Sequence, residues 1–246
     1  MKIQKKSPTG APAISAALAT VLLAASSLTT ADPISYSFQN GADTYTGNRD
    51  VKLLKSSADS NRGGSDEIEV DEDSLKQALV AFDDIIGASA NQIAPNATIV
   101  SATYTVDITS SGDALELYLM TTDWDEDSVT FNSFGGGVST GSQTVSTPFE
   151  TTDSIVAEGT YNFDVTAAVQ AWANGTTNNG FAVLPTGEDG VDWRSSEYGT
   201  VSSRPKLTVV VAAPSNVVPA AIPTLPLWGL AVMGLLLAGL AKMRRQ

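Results

Sequence analysis

The chain reads as an all-β protein, a jelly-roll-like β-sandwich with one short helix, flanked by an N-terminal signal helix and a C-terminal transmembrane helix. Three observations carry this reading. Apolar and polar residues alternate with a period of two along many short segments, as half-buried strands require. Gly, Asn, Asp and Ser punctuate those segments at the short intervals a sandwich needs for its turns. Between the two apolar ends, a helical period is found in one short stretch only. The organisation that follows is a signal peptide over 1–31, a β-sandwich over 32–211, a Pro/Ala linker over 212–221 and a sorting tail over 222–246.

Taken in order, Lys2, Lys5 and Lys6 make a basic start, and Ala13–Ala25 is an apolar run of the length a secretory signal uses. Ala31 is a small residue suited to cleavage; a short N-terminal membrane anchor is the alternative reading. Strands are expected at Ile34–Phe38, Val51–Lys55, Glu67–Val70 and Ala78–Phe82. Thr98–Ile108 should place Val100, Ala102, Tyr104, Val106 and Ile108 on one face, and Leu115, Leu117 and Leu119 repeat the pattern after the turn at Ser110–Asp113. Further strands are expected at Val129–Phe131, Phe181–Leu184 and Leu207–Val211. The helical stretch begins at Asp164, a candidate N-cap, sets Val165, Val169 and Trp172 on one stripe, and closes at Asn174-Gly175. Leu225–Ala241 is 17 apolar residues followed by Lys242, Arg244 and Arg245. As a helix it spans roughly 25 Å, and the basic end should stay cytoplasmic, leaving everything upstream outside the inner membrane.

Composition removes whole classes of chemistry. With no Cys there is no disulfide, Fe–S cluster or thiol nucleophile, and with no His there is no Ser-His-Asp triad or imidazole base. The formal net charge is −13, from 14 basic and 27 acidic residues, which argues against nucleic acid as a partner. Six of the basic residues lie in the two terminal segments and all of the acids lie between them, so the central domain is more acidic than the chain. Carboxylate or hydroxyl chemistry, oxygen-ligated cations such as Ca²⁺, and binding without catalysis remain.

Three acidic groupings are candidates. Asp66–Asp73 holds six carboxylates in eight residues, with Ile68 and Val70 on the face opposite Glu67, Glu69 and Asp71. Together with Asp59 in the preceding Gly-rich loop, the set Asp59, Asp66, Glu67, Glu69 and Asp71 could hold Ca²⁺, which takes six to eight oxygens; a solvated charged face is the plainer reading. Asp123–Ser128 opens like an EF-hand loop but has Ser128 and Phe134 where Gly and Glu are required, so it is not one, and Trp124 reads as a core anchor. Asp189, Asp192 and Trp193 combine carboxylates with an aromatic ring, the materials of a glycan site if Trp193 is exposed; an inward-packed Trp193 on a connecting turn is the other reading.

Two resemblances complete the picture. Ile222-Pro223-Thr224-Leu225, with Trp228-Gly229, the apolar helix and the basic end, resembles the IPTL-CTERM sorting signals of Gram-negative bacteria. That resemblance implies export, a transient membrane anchor, recognition by an exosortase-type transpeptidase, and release or attachment at the cell surface. Phe38–Gly47 with Asp50, Ala78–Asp83, Ile99–Thr103, Asp123–Asn132, Asp164–Phe181, and Ser195-Ser196-Glu197 with Arg204–Leu207 resemble, in order, the segments of a DNRLRE-type domain. This implies a jelly-roll-like sandwich, some of whose relatives act as carbohydrate-binding modules beside polysaccharide lyases. The expected function is a secreted, surface-sorted, non-catalytic module that binds extracellular polysaccharide or acts in the cell-surface matrix. The alternatives are a purely structural envelope protein and a carboxylate-based polysaccharide-degrading enzyme.

Overall fold

The computed structural model describes residues 32–213, and the signal segment, the sorting motif and the membrane helix expected over 225–241 lie outside them. In chain order the strands are β1 (Ile34–Phe38), β2 (Asn48–Leu54), β3 (Glu67–Val70), β4 (Lys76–Phe82), β5 (Ile99–Ser110), β6 (Gly112–Asp113) and β7 (Leu115–Leu119). They are followed by β8 (Glu150–Thr151), β9 (Ile155–Val156), β10 (Gly159–Asp164), helix α1 (Thr166–Ala173), β11 (Phe181–Pro185), β12 (Val191–Arg194) and β13 (Lys206–Val211).

Two antiparallel sheets form the sandwich. The first runs β1-β13-β5-β12-β3, and the second runs β2-β4-β11-β7-β8. Strand β5 is long enough to serve three partners: β10 takes one side of Thr103–Ile108, while β13 and then β12 share the other. β6 and β9 make a separate two-stranded ribbon.

The main core lies between the sheets. Tyr104 of β5 sits at its centre with ring neighbours Phe82 at 5.8 Å, Phe181 at 5.3 Å and Phe163 at 5.6 Å. Apolar residues on β3, β4, β11, β12 and β13 fill the space around it, as the alternation in those strands requires. A second apolar cluster covers the outer face of the second sheet. There Val51, Leu53, Leu79, Ala81, Ala182 and Leu184 pack beneath Trp124, Val129, Phe131 and Phe134 of the segment 120–149. A sheet buried on both faces needs uninterrupted apolar strands, which explains why β4 reads Ala-Leu-Val-Ala-Phe instead of alternating.

Three expectations shift. Val129–Phe131 is irregular backbone within that covering segment, and its V-x-F alternation serves to press two side chains onto the sheet. Val100 points to solvent, 55 % exposed, because a register shift between Val210 and Val211 moves Ile99 to the inner face and reverses the alternation there. Val191–Arg194, within the segment read as an acidic loop or connecting turn, is a strand. The helix forms where expected but starts one residue later, with Val165 and not Asp164 as its N-cap; Asp164 Oδ1 accepts from the Thr166 N–H at 2.9 Å, and Ala168, Val169 and Trp172 are buried. At Gly180, φ is +76° and a Cβ would lie 2.0 Å from the Val80 carbonyl oxygen, so β11 can reach β4 only from a glycine.

Candidate functional site

Strand β3 brings its acids to the outer face of the first sheet, as its alternation predicts. They meet bases and hydroxyls there, not one another. Glu69 is gripped by the ammonium groups of Lys52 and, at 3.0 Å, Lys76. Asp71 takes Lys76 at 3.6 Å and the Ser74 hydroxyl at 3.0 Å, and Glu67 accepts from the Thr109 hydroxyl at 2.7 Å. Asp59 lies elsewhere, accepting from the Asn132 amide at 2.8 Å, and Asp66 contributes its carbonyl to the Ser195 N–H. The five residues expected as calcium ligands therefore do not converge: the lysines β2 and β4 set beside β3 take the place of a cation. Burial pushes the Glu69 carboxyl up, but the hydrogen bonds and charges of Lys52 and Lys76 outweigh it and hold the group below its ordinary value.

The aromatic half of the expected glycan site is also corrected. Trp193 is 0 % exposed, packed between the sheets, and cannot stack on a sugar ring. Asp192, its neighbour on β12, necessarily points the other way, opposite Glu69; burial and then the charges of Glu69 and Glu67 raise its carboxyl. Asp189 sits on the exposed turn before β12, where its N–H donates to Asp113 Oδ2 at 3.1 Å. Two acids and a tryptophan adjacent in sequence are thus split between two faces.

Among the described residues, one group of three carboxylates does converge. Asp50, Glu126 and Glu197 each bring an oxygen within 4.8 Å of the others. Asp50 is an inward-facing residue of β2, fully buried. Glu126 belongs to the covering segment and Glu197 to the turn after β12, and both are half-buried. Each is fixed by a local donor: the Ser196 N–H to Asp50 Oδ2 at 2.9 Å, the Asp50 N–H to Glu126 Oε1 at 2.7 Å, and the Ser196 hydroxyl to Glu197 Oε1 at 2.7 Å. At an effective dielectric of about 20, two full charges 4.8 Å apart repel by about 3.5 kcal/mol. Accordingly the Asp50 carboxyl is driven well above the usual range, by burial first and then by Glu197, and Glu126 is pushed up to about 7 by burial and the Glu197 charge, with the Asp50 N–H opposing. Gly63 is what lets this corner close: a Cβ there would stand 2.3 Å from the Glu126 carbonyl oxygen.

The three positions are 76 and 71 residues apart, so no local spacing announces them. A signal existed nonetheless, since each lies in a segment that carries the DNRLRE-type resemblance: Asp50 near its opening, Glu126 after Trp124, and Glu197 in Ser-Ser-Glu.

A separate concavity of about 860 Å³ runs along the free edge of β1. Tyr36, Phe38 and Tyr45 supply its aromatic surface, and Asp43, Asp84 and Asn91 line its polar, exposed side. Phe38 holds the two tyrosines in place, with its ring parallel to Tyr36 at 6.4 Å and edge-on to Tyr45 at 5.3 Å. The Tyr45 hydroxyl donates to the Asp83 carbonyl at 2.9 Å, and burial pushes its own ionisation far up. Asp43, Thr44 and Asp84 all have left-handed φ, at 46°, 67° and 56°, and all three line this cleft. For a β-branched threonine that conformation is costly, and such strain collects where a fold shapes a binding surface.

The family model for carbohydrate-binding module family 96 matches residues 35–211, the whole sandwich. The IPTL-CTERM motif matches residues 220–246. Among curated proteins, no relative matches the chain.

Proposed function

The chain belongs to carbohydrate-binding module family 96, and from that premise we propose that it is an exported, non-catalytic module that holds extracellular polysaccharide in the cleft along β1. The observation that carries the assignment to this cleft is its lining. Tyr36 and Tyr45 offer ring faces and edges to a sugar's apolar side, while Asp43, Asp84 and Asn91 can accept or donate hydrogen bonds to hydroxyls. About 860 Å³ is room for a few sugar units, within the range of small-molecule sites.

The IPTL-CTERM match at 220–246 supports the cellular half of the reading. The chain passes the inner membrane on its N-terminal signal, is held transiently by the apolar segment 225–241, and is handed by an exosortase-type enzyme to the cell surface of a Gram-negative bacterium. Mass spectrometry of the mature protein should find a C-terminus near Ile222–Gly229; an intact Arg245-Gln246 end in all surface material would overturn the processing step.

For the glycan, affinity electrophoresis of the full chain across neutral and acidic polysaccharides should show retardation in at least one. Tyr36→Ala should weaken it about tenfold, the equivalent of about 1.4 kcal/mol, and Asp43→Ala should weaken it in the same direction, with unchanged circular dichroism in both. Retardation unaffected by either variant would move the site elsewhere. No retardation by any polysaccharide would favour a purely structural envelope protein, and release of reducing ends would overturn the non-catalytic reading.

A further inference from the structure

We propose that Asp50, Glu126 and Glu197 form a Ca²⁺ site that clamps the two sheets and the covering segment together. The proposal stands on the unpartnered oxygens as well as on the cluster. Asp50 is 0 % exposed, and its Oδ1 has no hydrogen-bond donor; Glu197 Oε2 is likewise buried and without one. Asn48, two residues before Asp50 on the same inward face of β2, spends its amide N–H on the Ala81 carbonyl and leaves its own Oδ1 without a donor. Buried polar atoms are satisfied in folded proteins by protein, water or an ion, and here two of the three converging carboxylates, Asp50 and Glu197, each keep a buried oxygen without a donor.

The identity of the missing group follows from charge. Three acids converge, and Arg49, the cation whose charge acts on Glu126, is already committed: it pairs with Asp83 at 2.6 Å, donates to the Trp124 carbonyl, and lies over the Trp124 ring. A neutral water cannot offset that concentration of negative charge, whereas a divalent cation can. All donors available are oxygens, and the chain has no Cys or His to attract a softer metal. Carboxylates from three separate segments, with Glu126 and Glu197 half-buried to give entry, match the flexible oxygen coordination of Ca²⁺ better than the strict octahedron of Mg²⁺. Each carboxylate is anchored through one oxygen by a single local donor, which keeps it in position before the ion arrives. The function is mechanical: β2 belongs to the second sheet, Glu197 follows β12 of the first, and Glu126 belongs to the segment covering the outer face. One ion would join three layers in a chain that has no cysteine to do so. This site is separate from the β1 cleft, and its test does not depend on glycan binding.

The full chain, stripped with chelator and dialysed, is titrated with CaCl₂ by calorimetry and melted with and without the salt. The expected result is one Ca²⁺ per chain with sub-millimolar affinity, MgCl₂ at least tenfold weaker, and a melting point raised by about 5 °C or more at saturating Ca²⁺. The half-exposed variants Glu126→Gln and Glu197→Gln should each lose most of the heat and of the shift, while Glu69→Gln on the outer face keeps both. Absence of Ca²⁺ heat and shift in the wild-type chain would overturn the site without any variant. So would shifts retained in both Gln variants, or a melting point that rises on acidification from pH 8 to pH 6 but ignores Ca²⁺, which would mean a shared proton holds the cluster instead.

Discussion

Trp193 and Trp124 sit on opposite sides of the second sheet, one in the main core and one in the covering segment, and neither touches solvent appreciably. Replacing Trp193 with alanine therefore removes a fully buried ring, and urea titration should show a loss of about 3–5 kcal/mol, with glycan affinity unchanged in whatever fraction remains folded. A stable variant that lost glycan binding would show instead that the ring reaches the ligand. The difference between the two tryptophans was only half legible in the sequence. Trp124 is surrounded by acids, and only the fold shows Val129 and Phe131 of the same segment joining it on the outer face of the second sheet. Trp193 alternates with Asp192 and Arg194, and alternation says that the ring and the charges face opposite ways without saying which face is inside.

At the scale of elements, the acid-rich strand β3 owes its tolerance to the lysines of β2 and β4. The Glu69 carboxyl is held below its ordinary value of 4.5, so its pairing contributes stability in full above that pH and loses it as the pH falls through the lower, folded value. Urea midpoints compared for wild type and Glu69→Gln should differ by a constant amount above pH 5 and converge on further acidification; a gap that widens in acid would contradict the lysine pairing. Gly180 is the second element-scale dependence. Gly180→Ala demands both a left-handed alanine and displacement of the Val80 carbonyl, and should destabilise by at least about 2 kcal/mol in the same assay. Most strands could be read from period two, but β4 reads as an apolar run because both its faces are covered, and the layer over its outer face, residues 120–149, has no regular structure to announce that cover. Val100 was misplaced for a similar reason, since a single register shift reverses the faces and leaves no mark on composition.

At the scale of the molecule, long-range convergence is what the sequence could not display. The Asp50, Glu126 and Glu197 cluster and the β1 cleft each assemble segments that are distant in the chain, whereas the dense local run at Asp66–Asp73 is spread along β3 and the turn after it, its acids paired with Lys52 and Lys76 instead of one another. The cleft is built on β1, and β1 is paired along its whole length with β13, from Ile34 opposite Val211 to Phe38 opposite Leu207. β13 is also the last strand among the described residues, ahead of the segment 220–246 that matches the sorting motif. A polymer held in the cleft and an attachment beyond Val211 would therefore pull on two adjacent strands. The load would cross a single ladder of backbone hydrogen bonds and bypass the aromatic centre around Tyr104. Under flow or cell movement, the first part to yield would be that seam, and the sandwich behind it would stay folded while the grip let go.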